Sequence, residues 1–173
     1  GSVKNLGGGI LINSSKKKSY FNNVNFSHLS GIKKDKLENG FIILGSINFY
    51  NTSLELKNLE FNKINSEDAL NIISSSFKIN KIQFRENFSD SIDLDFSNGE
   101  INNVNFKNIG NDALDFSGSK VEVKNAKFEN VGDKIISIGE DSDVKIINII
   151  GKNFFLGIAN KDGSIANVKK INF

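Results

Sequence analysis

The chain has 173 residues, 38% of them apolar, which is enough for one hydrophobic core, and residues 3–173 read as one domain behind a Gly1-Ser2 tag scar. It has no cysteine and only one histidine, His28, which excludes disulfides and thiolate metal sites and argues against structural zinc. A net charge of +2 makes no case for nucleic acid or an anionic membrane, and no run of eighteen apolar residues predicts a membrane span. With no signal segment in view, the sequence is expected to be a soluble piece of a longer parent with flanking domains.

In chain order, the N-terminal third is basic, through Lys16, Lys17, Lys18, Lys33, Lys34 and Lys36. The segment NNVNF (22–26) is then echoed by KNLEF (57–61), NKIQF (80–84), NNVNF (102–106) and KNAKF (124–128). Their phenylalanines, Phe26, Phe61, Phe84, Phe106 and Phe128, are separated by 35, 23, 22 and 22 residues. Such self-similarity is the signature of a solenoid, here with coils of about 22 residues. The long first step predicts a loop insertion near 27–39 (SHLSGIKKDKLEN), before FIILGSINFY (41–50) resumes strand character. Long loops on solenoids often flank binding faces.

Within each coil, short alternating segments such as Val121 to Lys124 and Ala113 to Phe116 are bounded by Gly, Asn, Ser and Asp, as strands between turns are. The predicted fold is all-β: a right-handed parallel β-helix of roughly six or seven coils, with equivalent residues stacked about 4.8 Å apart. Leu70, Ile92, Leu114, Ile136 and Ile158 then form an inward column, with Ile72, Leu94, Phe116 and Ile138 beside them. Asn23, Asn58, Asn103, Asn125 and Asn148 form an asparagine ladder at a tight turn, because Asn tolerates left-handed backbone angles.

From Glu86 to Asp115 seven acids face Lys107 alone, so one wall is expected to be strongly negative. Asp90 and Asp112 recur at one position, and Asp93 and Asp115 at another three residues on. Asp95 adds a further carboxylate, and Lys134 follows Asp112 by 22 residues. Like charges on adjacent rungs repel, so turn N–H donors, the Lys134 ammonium or a bound ion must offset them. Three uses are open: capping of turns by side-chain to backbone hydrogen bonds; a calcium site at Asp90, Asp93, Asp112 and Asp115, since oxygen-only ligands suit Ca²⁺; or acid and base catalysis by Asp93, Asp95, Asp112 and Asp115. No cofactor is required otherwise.

The run Ser119 to Asp133, of the form S-x-V-x-V-x-N-x-x-F-x-N-x-G-D, resembles the coils of the pectate-lyase-like superfamily of right-handed β-helices. GGGILINSS (7–15), SEDALNI (66–72), NDALDFSGS (111–119) and GDKIISIGE (132–140) resemble β-helix regions of large secreted or surface bacterial proteins, some associated with CotH-like kinase domains. The resemblance covers nearly the whole chain. It implies an extracellular or cell-surface address and a polysaccharide partner on the acidic face, with Asp90, Asp93, Asp95, Asp112, Asp115 and Lys134 as the binding set. Gly110 to Asp115 resembles the Gly-Asp-Asp motif of polygalacturonase-like hydrolases, but their Gly-His-Gly and Arg-x-Lys motifs have no counterpart, and Arg85 is the only arginine. The chain is therefore expected to be a binding module, with a polysaccharide hydrolase or lyase and a structural stalk as the alternatives.

Overall fold

Strands that pair in parallel with a partner about 22 residues away can close only as a solenoid, and the computed structural model, which describes residues 7–31 and 43–173, has about six such turns. Each coil has three faces. The first is built by β1 (Ile10–Asn13), β3 (Gly45–Tyr50), β5 (Asp68–Ile73), β7 (Asp90–Asp95) and β9 (Leu114–Ser117). The other two are carried by β2 (Ser19–Ser27), β4 (Ser53–Asn62), β6 (Ser76–Asn87) and β8 (Asn98–Ile109), and by β10 (Lys120–Gly139) and β11 (Asp143–Asn160), which both run on into the first face; β12 (Ile165–Asn172) closes the series. All named pairings are parallel, and the described residues contain no helix.

The expected columns are present. Leu70, Ile92, Leu114 and Ile136 are register partners in turn and are fully buried, with Ile72, Leu94, Phe116 and Ile138 beside them. Inside the opposite corner Phe61, Phe84, Phe106 and Phe128 stack with centroids 4.6, 5.1 and 4.9 Å apart and planes within 15°. Each such pair adds about 0.5–1.5 kcal/mol beyond its buried area. The stack stops at Gly151, the register partner of Phe128. A Cβ on Gly151 would lie 3.0 Å from the ring of Phe173, which turns in against Phe154 and partly covers the end of the core.

The long strands bend at single left-handed residues: Asn23, Asn58, Asn103, Asn125 and Asn148 have φ between 52° and 58°. Their amides bond up the stack, as in Asn125 Nδ2 to Asn102 Oδ1 (3.0 Å) and Asn148 Nδ2 to Asn125 Oδ1 (2.7 Å). In the third coil Lys81 takes the left-handed position and Asn80 supplies the amide oxygen that Asn103 donates to.

A second ladder, of Ser75, Ser97, Ser119, Ser142 and Ser164, went unrecognised in the sequence. Each hydroxyl oxygen accepts the backbone N–H of the ladder residue one coil earlier, beginning with Thr52, at 3.0 to 3.1 Å. Those of Ser75, Ser97 and Ser119 also donate to the carbonyl two residues back, at 2.7 to 2.9 Å. Backbone donors that a sharp corner would otherwise leave unpaired are thereby satisfied.

The predicted insertion needs correcting at its start. Ser27 ends β2, Leu29 bridges to Gly7, and Ser30 bridges to Asn65, so these residues belong to the coil. Of the expected loop, residues 32–39 lie outside the described residues.

Candidate functional site

Charges on the second and third faces are neutralised from coil to coil. Lys18 pairs with Glu55 (3.0 Å), Lys78 with Glu100 (3.4 Å) and Lys145 with Glu122 (2.9 Å). Glu129 takes both Lys107 and Lys152 at 3.3 Å, and Arg85 reaches Glu60 at 3.7 Å. Two of the seven acids expected on one wall are thus elsewhere: Glu100 is on the second face, and Glu86 is at a corner beside Lys63. The five aspartates that remain lie on the first face or at its leading edge, and the structure divides them into two groups.

Asp90 and Asp112 are caps. Asp90 Oδ1 accepts the backbone N–H of Asp112 (2.8 Å) and the amide of Asn111 (2.7 Å). Asp112 Oδ1 accepts the backbone N–H of Lys134 (2.8 Å), whose ammonium lies 3.3 Å from Asp112 Oδ2 and also bonds Asp133. Burial pushes Asp90 up to about 6, against these two donors, and also raises Asp112. Lys134 is raised from its ordinary value, first by its hydrogen bond to Asp133, so it is a fixed cation and a poor general base.

Asp93 and Asp115 belong to a different column. They are register partners on β7 and β9, and the same column runs from Asn71 through Asp93 and Asp115 to Ser137. Asn71 Nδ2 donates to Asp93 Oδ2 (2.8 Å) and to Asp68 Oδ2 (3.2 Å), so one amide links two carboxyl groups. Burial first pushes Asp68 up to about 7, against its hydrogen bond from Asn71 and helped by repulsion from Asp90, Glu67 and Asp95; burial and then repulsion from Asp68, Asp95 and Asp115 push Asp93 to about 9. Asp95, two residues along β7, is raised by burial and by Asp115. Among the described residues the side-chain carboxylates of Asp95 and Asp115 accept no hydrogen bond, and no ion pair neutralises Asp93, Asp95 or Asp115.

Both ends of β7 carry exposed aromatic rings that the sequence did not single out. Phe88 is 72% exposed and Phe96 64% exposed. Phe96 holds φ at 50°, an uncommon conformation for a bulky residue, and its ring lies over Gly118, where a Cβ would come within 2.6 Å of it. A wide open groove of about 750 Å³ lined by Asn23, Asn58, Lys81 and Asn103 lies at another corner, away from these carboxylates.

Among the described residues no group of three or more His, Asp or Glu side chains is placed to hold a metal ion. The four aspartates expected to share calcium fall into two columns, and each residue of the cap column already gives its Oδ1 to a backbone donor. Comparison of the chain with family models, curated proteins and solved structures finds no match.

Proposed function

We propose that this chain is a carbohydrate-binding β-helix module of the pectate-lyase-like kind, borne by a secreted or cell-surface bacterial protein. One observation carries the reading: the carboxylates without cations, Asp93, Asp95 and Asp115, lie on the face where β7 is flanked by the exposed rings of Phe88 and Phe96. Sugars present both an apolar C–H face, which packs on aromatic rings, and hydroxyl donors, which acceptor-only carboxylates take up. Six residues of β7 span roughly 17–20 Å, room for several sugar units between the rings. The proposal requires no metal.

Screening the chain on a glycan array, followed by calorimetric titration of the best ligand, tests the reading. Phe88→Ala, Phe96→Ala and Asp115→Asn should each weaken binding about tenfold, or 1.4 kcal/mol, with unchanged folding. Binding indifferent to all three, or no glycan retained at millimolar concentration, would overturn it.

A second reading, a polysaccharide hydrolase, is favoured by Asp93 alone. Its raised value leaves it protonated at neutral pH, as a general acid must be, one rung from Asp115. Reducing sugar released by the wild type and not by Asp93→Asn would establish it.

A further inference from the structure

We infer that the ligand of the first face carries a primary ammonium group seated between Asp93 and Asp115, which narrows the carbohydrate reading above, and rests on it, to amino sugars with free amines. The column at this point offers almost only acceptors. Asp93 and Asp115 are adjacent rungs, and beyond them on either side the buried Asn71 and Ser137, 2% and 1% exposed, each keep an oxygen with no hydrogen-bond partner, Oδ1 and Oγ respectively. Register partners project from the same side of the sheet, so Ser137 Oγ points with the Asp115 carboxylate. Buried polar atoms without partners are uncommon enough to require a cause, and here two of them bracket two carboxylates.

Geometry selects among ligands. Oxygens on rungs about 4.8 Å apart can both be reached at about 2.8 Å by one nitrogen, at an O···N···O angle of about 118°, close to what a tetrahedral ammonium offers. Its third N–H is then free for a water that bridges to an uncharged oxygen of the same column, about one and a half rungs away. A hydroxyl brings a single donor and no charge, so it cannot take the place of the proton that Asp93 holds against its neighbours, whereas an ammonium supplies positive charge as that proton leaves. A uronate would add a negative charge to the face, where Lys134 is already committed to Asp112 and Asp133. A divalent ion would need more oxygen ligands than the described residues bring together.

Calorimetric titration at mildly acidic pH, where glucosamine amines are charged, decides the matter with three probes: a glucosamine tetramer, the N-acetylglucosamine tetramer and spermidine. The glucosamine tetramer should bind at least about tenfold tighter than its acetylated counterpart. Asp115→Asn should abolish that preference, and Ser137→Ala should reduce it while leaving the circular-dichroism melt in place. Equal binding of the two tetramers would overturn the ammonium assignment and leave the carbohydrate reading standing. Spermidine binding as tightly as the glucosamine tetramer would uphold the ammonium site and remove the carbohydrate reading. Failure of all three probes to bind at millimolar concentration would overturn the inference even if a neutral glycan is retained on the array.

Discussion

The first face and the two that follow it are built on the same core and the same coil spacing, yet they handle charge in opposite ways. On the second and third faces an acid on one coil meets a lysine or arginine on a neighbouring coil, so the stack neutralises itself. On the first face Asp93 stacks on Asp115 with Asp95 alongside, and the only lysine ion-paired there among the described residues is Lys134, held by Asp112 and Asp133. A solenoid tolerates such a ladder only at a cost in stability, because repetition brings every like charge to its nearest possible approach. Charge pairing serves the fold, and the face that lacks it is the one on which the proposed ligand is sought.

The comparison can be broken first at its base. Leu114→Ala under the first face and Ile101→Ala under the second should both cost about 2–5 kcal/mol in urea melts, since neither buried site can collapse against stacked neighbours. A loss below about 0.5 kcal/mol at Leu114 would mean that the inward register assigned to the first face is wrong. Next in size is the serine ladder at the corner leaving that face. Ser97→Ala leaves the buried N–H of Ser75 unpaired and should cost about 1–3 kcal/mol by the same measurement.

Acidity sharpens the contrast further. Asp68, Asp90 and Asp93 have folded-state values raised to about 7, 6 and 9, so the folded chain binds more protons than the unfolded one across that range. Their contribution is complete below about pH 4, the ordinary carboxylate value, and is lost as pH rises through the folded values. Melting temperature should therefore fall between pH 5 and 9, and Asp93→Asn should flatten the slope and raise stability at pH 8 by at least about 1 kcal/mol, or about 2–4 °C. A flat profile for the wild type would show that the carboxylates of the first face are not in conflict. The smallest effect belongs to the paired faces: Lys78→Met with Glu100→Gln should change stability by less than about 1 kcal/mol, because exposed ion pairs contribute little.

Much of the architecture was legible because it repeats. Phe61, Phe84, Phe106 and Phe128 recur at nearly constant spacing, and a large apolar residue at a constant interval has few explanations other than a stacked core. The serine ladder recurs just as regularly, but Ser is ordinary in any turn, and only the coordinates show its hydroxyl bonded to the coil before. The two columns of acidic residues were legible in their 22-residue spacing, but which of them caps the next coil was not. Whether a carboxylate caps the next coil depends on a local irregularity: Asp90 donates its backbone N–H to the Glu67 carbonyl, not to the Asp68 carboxylate, whereas Asp112 finds the Asp90 side chain. Phe88 and Phe96 were passed over because phenylalanine in a sequence reads as core, and exposure is a property of position in the coil.

The stacking register also bears on where the molecule opens. In a one-dimensional array each coil is held by its two neighbours, so spontaneous opening starts at the ends and must strip one turn after another. Strands β7 and β9, which hold Asp93 and Asp115, sit between β5 on one side and the tail of β10 on the other. Fraying from either end reaches them last. A surface carrying so much electrostatic conflict is thus lodged where the rest of the solenoid clamps it, and its amide hydrogens are expected to exchange among the slowest in the chain.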